Sequence, residues 1–195
     1  NNKNYIKIGW MFIIGLLAYL FFVVFFLSPR INTYLSETEI NNSKIQFSKI
    51  VSIINTKSRT IEDKDKLLNE IQLLLTSTTL GKTGYIYILD NTGKVIFDPS
   101  GEFQSEEISK ITLPSANNSL LFDEIKNAYS KRQVFEYDWN KNYDPFNYTY
   151  KKISWIEYNQ KMDWYMVSSI YKEDFAGFID GINSLILNIS MVLFG

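Results

Sequence analysis

The sequence predicts an α+β fold in which a five-stranded antiparallel sheet packs on a long N-terminal helix and is flanked by transmembrane helices. Three observations predict it. An uncharged apolar run occupies residues 8–27. Apolar residues then recur every three or four positions through 31–54, which is the spacing of an amphipathic helix. Short runs rich in Tyr, Ile and Val alternate with turn residues between 85 and 171, as in antiparallel strands.

The run at residues 8–27, IGWMFIIGLLAYLFFVVFFL, predicts a membrane anchor. At 1.5 Å per residue it is long enough to cross about 30 Å of hydrocarbon. Lys3 and Lys7 precede it, which places the N-terminus in the cytoplasm. A cleaved signal peptide is disfavoured because the following FFLSPRINTYL shows no small-residue cleavage pattern. A soluble core helix is disfavoured because the run is apolar on every face.

These patterns divide the chain into four predicted segments. They are a cytoplasmic N-terminus at 1–7, a transmembrane helix at 8–28, an extracytoplasmic domain at 29–178 and the start of a second transmembrane helix at 179–195. The second apolar run, 182–195, is too short to span a bilayer. We therefore expect the chain to stop inside its second crossing.

Within the domain, the apolar spacing predicts helices at 30–55, 61–76 and 118–130, with a break at the polar residues 55–60. Residues 85–97 predict a β-hairpin around the turn sequence DNTG. A polar loop is expected at 100–117, and three further strands at 133–139, 147–157 and 163–171. The chain is expected to be helical again from Glu173 towards the second crossing.

Composition excludes several classes of function. The chain has 195 residues with 20 basic and 21 acidic side chains, and no basic stripe that suggests nucleic-acid binding. It has no His and no Cys, which rules out a Ser-His-Asp triad, a Cys nucleophile, the usual zinc sites and His- or Cys-ligated haem. We therefore predict no catalytic residues, no metal and no cofactor in these residues.

Four blocks occur in order between the two apolar runs: Gly81–Pro99 (GKTGYIYILDNTGKVIFDP), Val134–Trp139 (VFEYDW), Tyr150–Tyr158 (YKKISWIEY) and Trp164–Phe175 (WYMVSSIYKEDF). Together they resemble the single-Cache, PAS-like sensor domains of bacterial transmembrane receptors. The chain departs from the family pattern in two places, with Asp98 where His is common and Val167-Ser168-Ser169 where Gly-Thr-Gly is common. The resemblance implies a periplasmic or extracellular sensor in the plasma membrane, working as a homodimer. It also implies an output of the chemoreceptor, sensor-kinase or diguanylate-cyclase type.

Strand alternation predicts which residues face a ligand. Ile86, Ile88, Ile153 and Trp155 are expected to pack on the long helix. The opposite face then carries aromatic walls with a few polar groups, which is typical of a small-molecule pocket. The predicted ligand residues are Tyr87, Asp98, Tyr137, Trp139, Tyr150, Lys152 and Ser154. Lys152 favours a carboxylate, whereas Asp98 facing Lys152 would suit an amine-bearing ligand.

Each of these residues also has a plainer interpretation. The aromatic residues are compatible with ordinary sheet packing, and Asp98 with an Asp-Pro turn. Lys152 is compatible with a surface lysine paired with Glu136 or Asp138. Glu102, Glu106 and Glu107 lack the spacing of a calcium loop and are interpreted as solvated surface.

The function that these patterns favour is small-molecule sensing outside the membrane, with a signal passed through the membrane helices. The expected partners are the ligand, the lipid bilayer and a second copy of the chain, with no nucleic acid. One alternative is a membrane-anchored structural or interaction domain without a ligand. A carboxylate-based hydrolase is the least favoured class, because no carboxylate spacing supports it.

Overall fold

The computed structural model describes residues 2–103, 107–175, 184 and 188. The described residues divide into two compact units, one that contains residues 2–39 and one that contains residues 40–103 and 107–174. The helices are α1 (Asn2–Phe22), α2 (Ser28–Thr60), α3 (Lys64–Ser77) and α4 (Leu121–Lys131), with a π-helical segment at Val23–Leu27 between α1 and α2. A 3-10 turn at Lys172–Phe175 follows the last strand. The second apolar run, predicted at 182–195, lies outside the described residues except for Ser184 and Asn188.

The N-terminal apolar run is helical throughout, as predicted. Its large apolar side chains are exposed, including Trp10, Phe12 and Leu17. The helical stretch Asn4–Thr60 contains a window that is long and apolar enough to cross a membrane, by length and composition. This helix has the properties that a bilayer anchor requires.

The predicted break at residues 55–60 is wrong, because α2 continues to Thr60. Its polar end is held by Asn159, whose side-chain amide donates to Asn55 Oδ1 at 2.8 Å and Ser58 Oγ at 2.9 Å. These hydrogen bonds take the place of hydrogen bonds to water for side chains that in isolation favour a loop. The chain instead turns at 61–63, where Asp63 caps α3 by accepting a hydrogen bond from the backbone of Lys66 at 2.9 Å.

The strands are β1 (Tyr85–Asp90), β2 (Val95–Phe97), β3 (Thr112–Leu113), β4 (Ser119–Leu120), β5 (Phe135–Trp139), β6 (Tyr150–Ser154), β7 (Ile156–Asn159) and β8 (Trp164–Tyr171). The main sheet is antiparallel and has six strands, where five were predicted. Five of them lie in the order β2-β1-β8-β6-β5, and β7 also pairs with β8. The predicted strand 147–157 is therefore β6 and β7 in succession. They are separated at Trp155, where the backbone N–H donates to Ser168 Oγ at 2.7 Å.

The two faces of the sheet are buried by different elements, as strand alternation predicted. On one face, Ile86, Ile88, Ile153 and Trp155 are buried. The ring of Trp155 lies 6.3 Å from that of Phe47 on α2. We call the opposite face the inner face. Its buried cluster includes Tyr87, Tyr137 and Trp139, and is covered by α4 and by residues from the segment between β2 and α4.

Close packing just before β1 explains why residue 84, the second glycine of the GKTG sequence, is a glycine. Leu80 and Gly84 exchange two backbone hydrogen bonds of 2.8 Å just before the strand begins. A Cβ atom on Gly84 would lie 2.5 Å from the Leu80 carbonyl oxygen and 2.6 Å from Ile170 Cγ1. Only glycine therefore fits at this close approach between β1 and β8.

The segment 100–117, predicted as a polar loop, is more ordered than expected. β3 and β4 pair within and beside it, and Ile108 and Leu113 are fully buried. Because Ser119 and Leu120 belong to β4, α4 begins at Leu121 and not at 118. Buried apolar side chains in this segment close the inner face of the sheet.

Candidate functional site

Pairing of β5, β6 and β8 places one lysine at the centre of the inner face. Lys152 on β6 lies opposite Tyr137 on β5 and Tyr171 on β8. Its side chain has 0% exposure. A buried ammonium requires a partner, since an isolated charge in the interior is strongly disfavoured.

The partner of Lys152 is Glu102, which lies in the segment after β2. Lys152 Nζ is 2.9 Å from each carboxylate oxygen of Glu102, and the Glu102 side chain is 16% exposed. Aromatic rings surround the ammonium, with centroids at 4.7 Å for Tyr171, 5.5 Å for Trp139 and 6.0 Å for Tyr85. These rings add cation–π attraction to the ion pair.

Two further donors complete the surroundings of the Glu102 carboxylate. The Trp139 indole N–H donates to Glu102 Oε1, and the Tyr85 hydroxyl donates to Oε2. Each oxygen therefore accepts one hydrogen bond from Lys152 and one from an aromatic side chain. Both oxygens of the carboxylate are thus fully hydrogen-bonded. Hydrogen bonds to an ionised acceptor are stronger than those to a neutral one, so this arrangement is well suited to bind a carboxylate.

Asp98 shapes the turn that delivers Glu102, which we call the 98–103 turn. Asp98 Oδ1 accepts hydrogen bonds from Ser100 N at 2.9 Å and Ser100 Oγ at 2.7 Å. Asp98 Oδ2 accepts from Phe103 N at 2.7 Å. Asp98 is buried, and both of its oxygens are thus used by the turn.

Phe103, at the end of the turn, packs into the aromatic wall of the site. Its ring centroid lies 5.2 Å from that of Tyr87 and 6.0 Å from that of Trp139. Trp139 in turn lies 5.9 Å from Tyr137. The turn therefore shares one aromatic cluster with β1 and β5.

Buried hydroxyl groups without hydrogen-bond partners lie on the same face. Among the residues that the structure describes, they include Tyr87, Tyr137, Ser154 and Ser169. The Tyr137 hydroxyl lies near those of Ser154 and Ser169, but without a normal hydrogen bond between them. An unpaired buried hydroxyl costs about 1–3 kcal/mol, so a water molecule or a ligand that hydrogen-bonds to these groups would offset that cost.

The electrostatics of the site follow from its burial. Burial lowers the pKa of Lys152, and the charges of Glu102 and Asp98 oppose that shift. Burial raises the pKa of the Tyr85 and Tyr137 hydroxyls, and the Glu102 charge raises it further. These hydroxyls therefore stay protonated and able to donate at neutral pH.

Two predicted ligand residues lie outside this cluster: Asp98, whose oxygens are used by the 98–103 turn, and Tyr150. The Tyr150 hydroxyl donates to Asp144 Oδ2 at 2.9 Å, and that hydrogen bond raises the pKa of Tyr150 to about 12. Lys141 Nζ lies 4.7 Å from the Tyr150 ring and 4.8 Å from the Tyr171 ring. Tyr150 thus belongs to a group around Lys141 at the start of β6, and this group shares the Tyr171 ring with the cluster around Lys152.

The structure brings five of the predicted residues together: Tyr87, Tyr137, Trp139, Lys152 and Ser154. The surface pairing considered for Lys152 is wrong: Asp138 pairs with Lys151 at 3.0 Å and Glu136 lies 3.5 Å from Lys172. The interpretation of Glu102 as solvated surface is also wrong, because its carboxylate is held by Lys152.

Sequence reasoning missed four participants: Tyr85, Glu102, Ser169 and Tyr171. Tyr85 shares its strand face with Tyr87, and Tyr171 and Ser169 alternate along β8, so strand alternation carried a signal for these three. Nothing in the local sequence distinguishes Glu102, which reaches Lys152 from an irregular turn.

Lys152 lines neither of two surface clefts of the described residues. One, of 620 Å³, is lined by residues of α2, α4 and β7 that include Phe47, Tyr129 and Ile156. The other, of 320 Å³, is lined by residues that include Phe135, Tyr137 and Lys151. Of the predicted ligand residues, Tyr137 lines the second cleft and none lines the first.

Comparison with known proteins gives one matching family and several solved structures of similar fold. The model of the family described as "Cache domain" matches residues 34–195. A comparison with curated protein sequences finds no match.

Among solved structures, a "periplasmic sensor domain of chemotaxis protein" is similar with a TM-score of 0.53 and 18% identity, over 75% of this chain and 98% of that one. A structure described as the "structural basis for carboxylic acid recognition by a Cache chemosensory domain" gives 0.54 and 18%, over 73% and 97%. A methyl-accepting chemotaxis protein from Vibrio parahaemolyticus RIMD 2210633 gives 0.52 and 17%, over 74% and 98%. At these identities the likeness is one of fold.

Proposed function

We propose, from the premise that this chain belongs to the Cache domain family of ligand-sensing receptor domains, that its inner face binds a small organic carboxylate. The observation that carries the proposal is the Glu102 carboxylate itself. Lys152, Tyr85 and Trp139 all donate to it within the sheet. Donors that hold one carboxylate so completely are chemically suited to hold another.

The alternative ligand chemistry, an amine, has less support. An ammonium group would need a free anionic acceptor, and Asp98 was the predicted one. Both oxygens of Asp98 already accept hydrogen bonds from Ser100 and Phe103 within the 98–103 turn. The similar structure described as recognising carboxylic acids is consistent with the acid.

The location of the ligand suggests how binding would be transmitted. Lys152 pairs with Tyr171 near the end of β8, and the Tyr171 hydroxyl donates to the Asn140 carbonyl at 2.5 Å. A ligand that changes the packing of the Tyr171 ring changes the strand that leads out of the domain. If this strand has two conformations, the ligand shifts the balance between them only to the extent that its affinities for the two differ.

We also infer that α1 anchors the domain in the plasma membrane, with residues 29–178 on the outside. The exposed apolar surface of α1 supports the anchor, and the similarity to a periplasmic sensor domain supports the location. The second transmembrane helix, the homodimer and an output beyond residue 195 stay predictions.

The test is binding of acetate to the full chain in detergent micelles. Acetate should raise the melting temperature of the chain, whereas acetamide and ethylamine at equal concentration should not. Lys152→Gln should abolish the acetate effect. Lys151→Gln is the matched control, because Lys151 is the adjacent residue of β6 and is 61% exposed. Equal responses of the two variants, or an equal response to acetamide, would contradict the proposal.

A further inference from the structure

We propose that Glu102 is a tethered competitor that occupies the position of the ligand's carboxylate, so that binding is an exchange of one carboxylate for another. The inference rests on the proposed function and adds its regulation. In the ligand-free protein, the position of the ligand's carboxylate is then occupied by that of Glu102. The 98–103 turn then carries the group that the ligand must displace.

The donors of the site cannot serve two carboxylates at once. Glu102 Oε1 accepts from Lys152 and Trp139, and Oε2 accepts from Lys152 and Tyr85. A second carboxylate at this place would meet the first at short range, where two like charges disfavour each other. Acid binding at Lys152 therefore requires Glu102 to leave.

Charge balance makes the exchange conditional on the ligand. If Glu102 left alone, Lys152 would remain fully buried without its counter-charge, which makes that state a minor one. An entering carboxylate restores that counter-charge. The turn should therefore hold Glu102 in place until an acid arrives and release it when one binds.

The turn also keeps the competitor close. Asp98 fixes the backbone of Ser100 and Phe103, and the Glu102 N–H donates to Ser100 Oγ at 3.1 Å. A rotation about the Glu102 side-chain bonds removes its carboxylate from Lys152 while these backbone bonds persist. A group tethered this closely acts at an effective concentration on the order of mM or higher.

The size of the effect follows from the population of the open state. If the state with Glu102 withdrawn holds about 1–10% of the molecules, the apparent Kd for an acid is raised about ten- to a hundredfold. Removing the Glu102 carboxylate should therefore lower the apparent Kd by the same factor. The site would then respond only to acid concentrations that outcompete its own glutamate.

The experiment compares acetate binding by the full chain and its variants in detergent micelles, with the Trp139 indole N–H resonance as the reporter. Glu102→Gln and Glu102→Ala should bind acetate about ten- to a hundredfold more tightly than the wild type. Glu102→Asp, which keeps a charge near Lys152 and so protects folding, should give an intermediate Kd. Glu107→Gln is the control, because Glu107 is 51% exposed and pairs with Lys110. Sodium chloride at equal ionic strength should leave the resonance unchanged.

The outcomes separate the two proposals. Equal acetate affinities in the wild type and all Glu102 variants would overturn the competitor while leaving the carboxylate site standing. Absence of acetate binding in every protein, including folded Glu102→Asp, would overturn the site and the competitor together. Tighter binding in the Glu102 variants but not in Glu107→Gln would support both.

Discussion

At the scale of single residues, the adjacent lysines of β6 show how strand geometry decides chemistry. Lys151 is 61% exposed and pairs with Asp138, whereas Lys152 has 0% exposure and pairs with Glu102. The two side chains are alike in reach and charge, and differ only in the face to which the strand directs them. A slip of one residue in the pairing of β6 would exchange their environments.

The buried tyrosines of the inner face predict how stability depends on pH. Burial raises the pKa of Tyr85, Tyr87, Tyr137 and Tyr171 above the ordinary 10.0. Above pH 10 the unfolded chain therefore loses protons that the folded chain keeps, and the free energy of unfolding falls as pH rises. Lys152, whose pKa is lowered by burial, acts in the opposite direction, but only below the ordinary lysine pKa of 10.5.

Ultraviolet titration of tyrosine checks this expectation. Part of the tyrosine absorbance change should appear late in the titration, above pH 10. It should coincide with loss of near-ultraviolet circular dichroism. In denaturant, all tyrosines should titrate in one step, which calibrates the total. Tyr137→Phe should remove one tyrosine from the late step. Complete ionisation near pH 10 with the fold intact would show that the inner face is open to solvent.

At the scale of elements, the end of α2 depends on one residue of β7. Asn159 donates to Asn55 and Ser58, and its Oδ1 accepts from Met162 N at 2.9 Å. Asn159→Ala removes these three hydrogen bonds, two of which join β7 to the end of α2, so we expect the free energy of unfolding to fall by about 1–3 kcal/mol. Chemical denaturation measures this loss. Hydrogen exchange should also become faster in residues 56–60, because the last turn of α2 loses its tertiary support.

Asn69→Ala is the matched control for this prediction, because Asn69 lies on α3 with an exposed side chain. It should leave both measurements nearly unchanged. An unchanged exchange rate at 56–60 in Asn159→Ala would mean that α2 keeps its last turn by intrinsic propensity. The polar composition of residues 55–60 would then be no obstacle to a helix.

The same contact shows why sequence predicted some elements better than others. Alternating apolar and polar residues specified the strands and their faces, because burial of one strand face acts at every second residue. The break at 55–60 was predicted from the composition of those residues alone. Such a prediction takes no account of Asn159, which lies 104 residues from Asn55 along the chain. Local propensity is overruled where a distant side chain supplies the missing hydrogen bonds.

At the scale of the whole molecule, the site joins segments that are far apart in sequence. Glu102 lies 50 residues from Lys152 and 37 residues from Trp139 along the chain. Strand periodicity predicted the lysine and the aromatic wall, which lie on regular elements. It held no signal for the glutamate, whose position depends on the irregular 98–103 turn. The half of the site on the strands was therefore predictable, and the half on the turn was not.

The orientation of the chain in the membrane is the last prediction, and the absence of cysteine makes it directly testable. Lys3 and Lys7 precede the apolar run, so the positive-inside bias predicts a cytoplasmic N-terminus and an external domain. We expect a membrane-impermeant maleimide to label Asn127→Cys, at an exposed position of α4, in intact bacterial spheroplasts. It should label Asn4→Cys only after detergent is added, which also proves that this thiol is reactive. Labelling of Asn4→Cys alone in intact spheroplasts would place the domain in the cytoplasm, where it could not sense external acids.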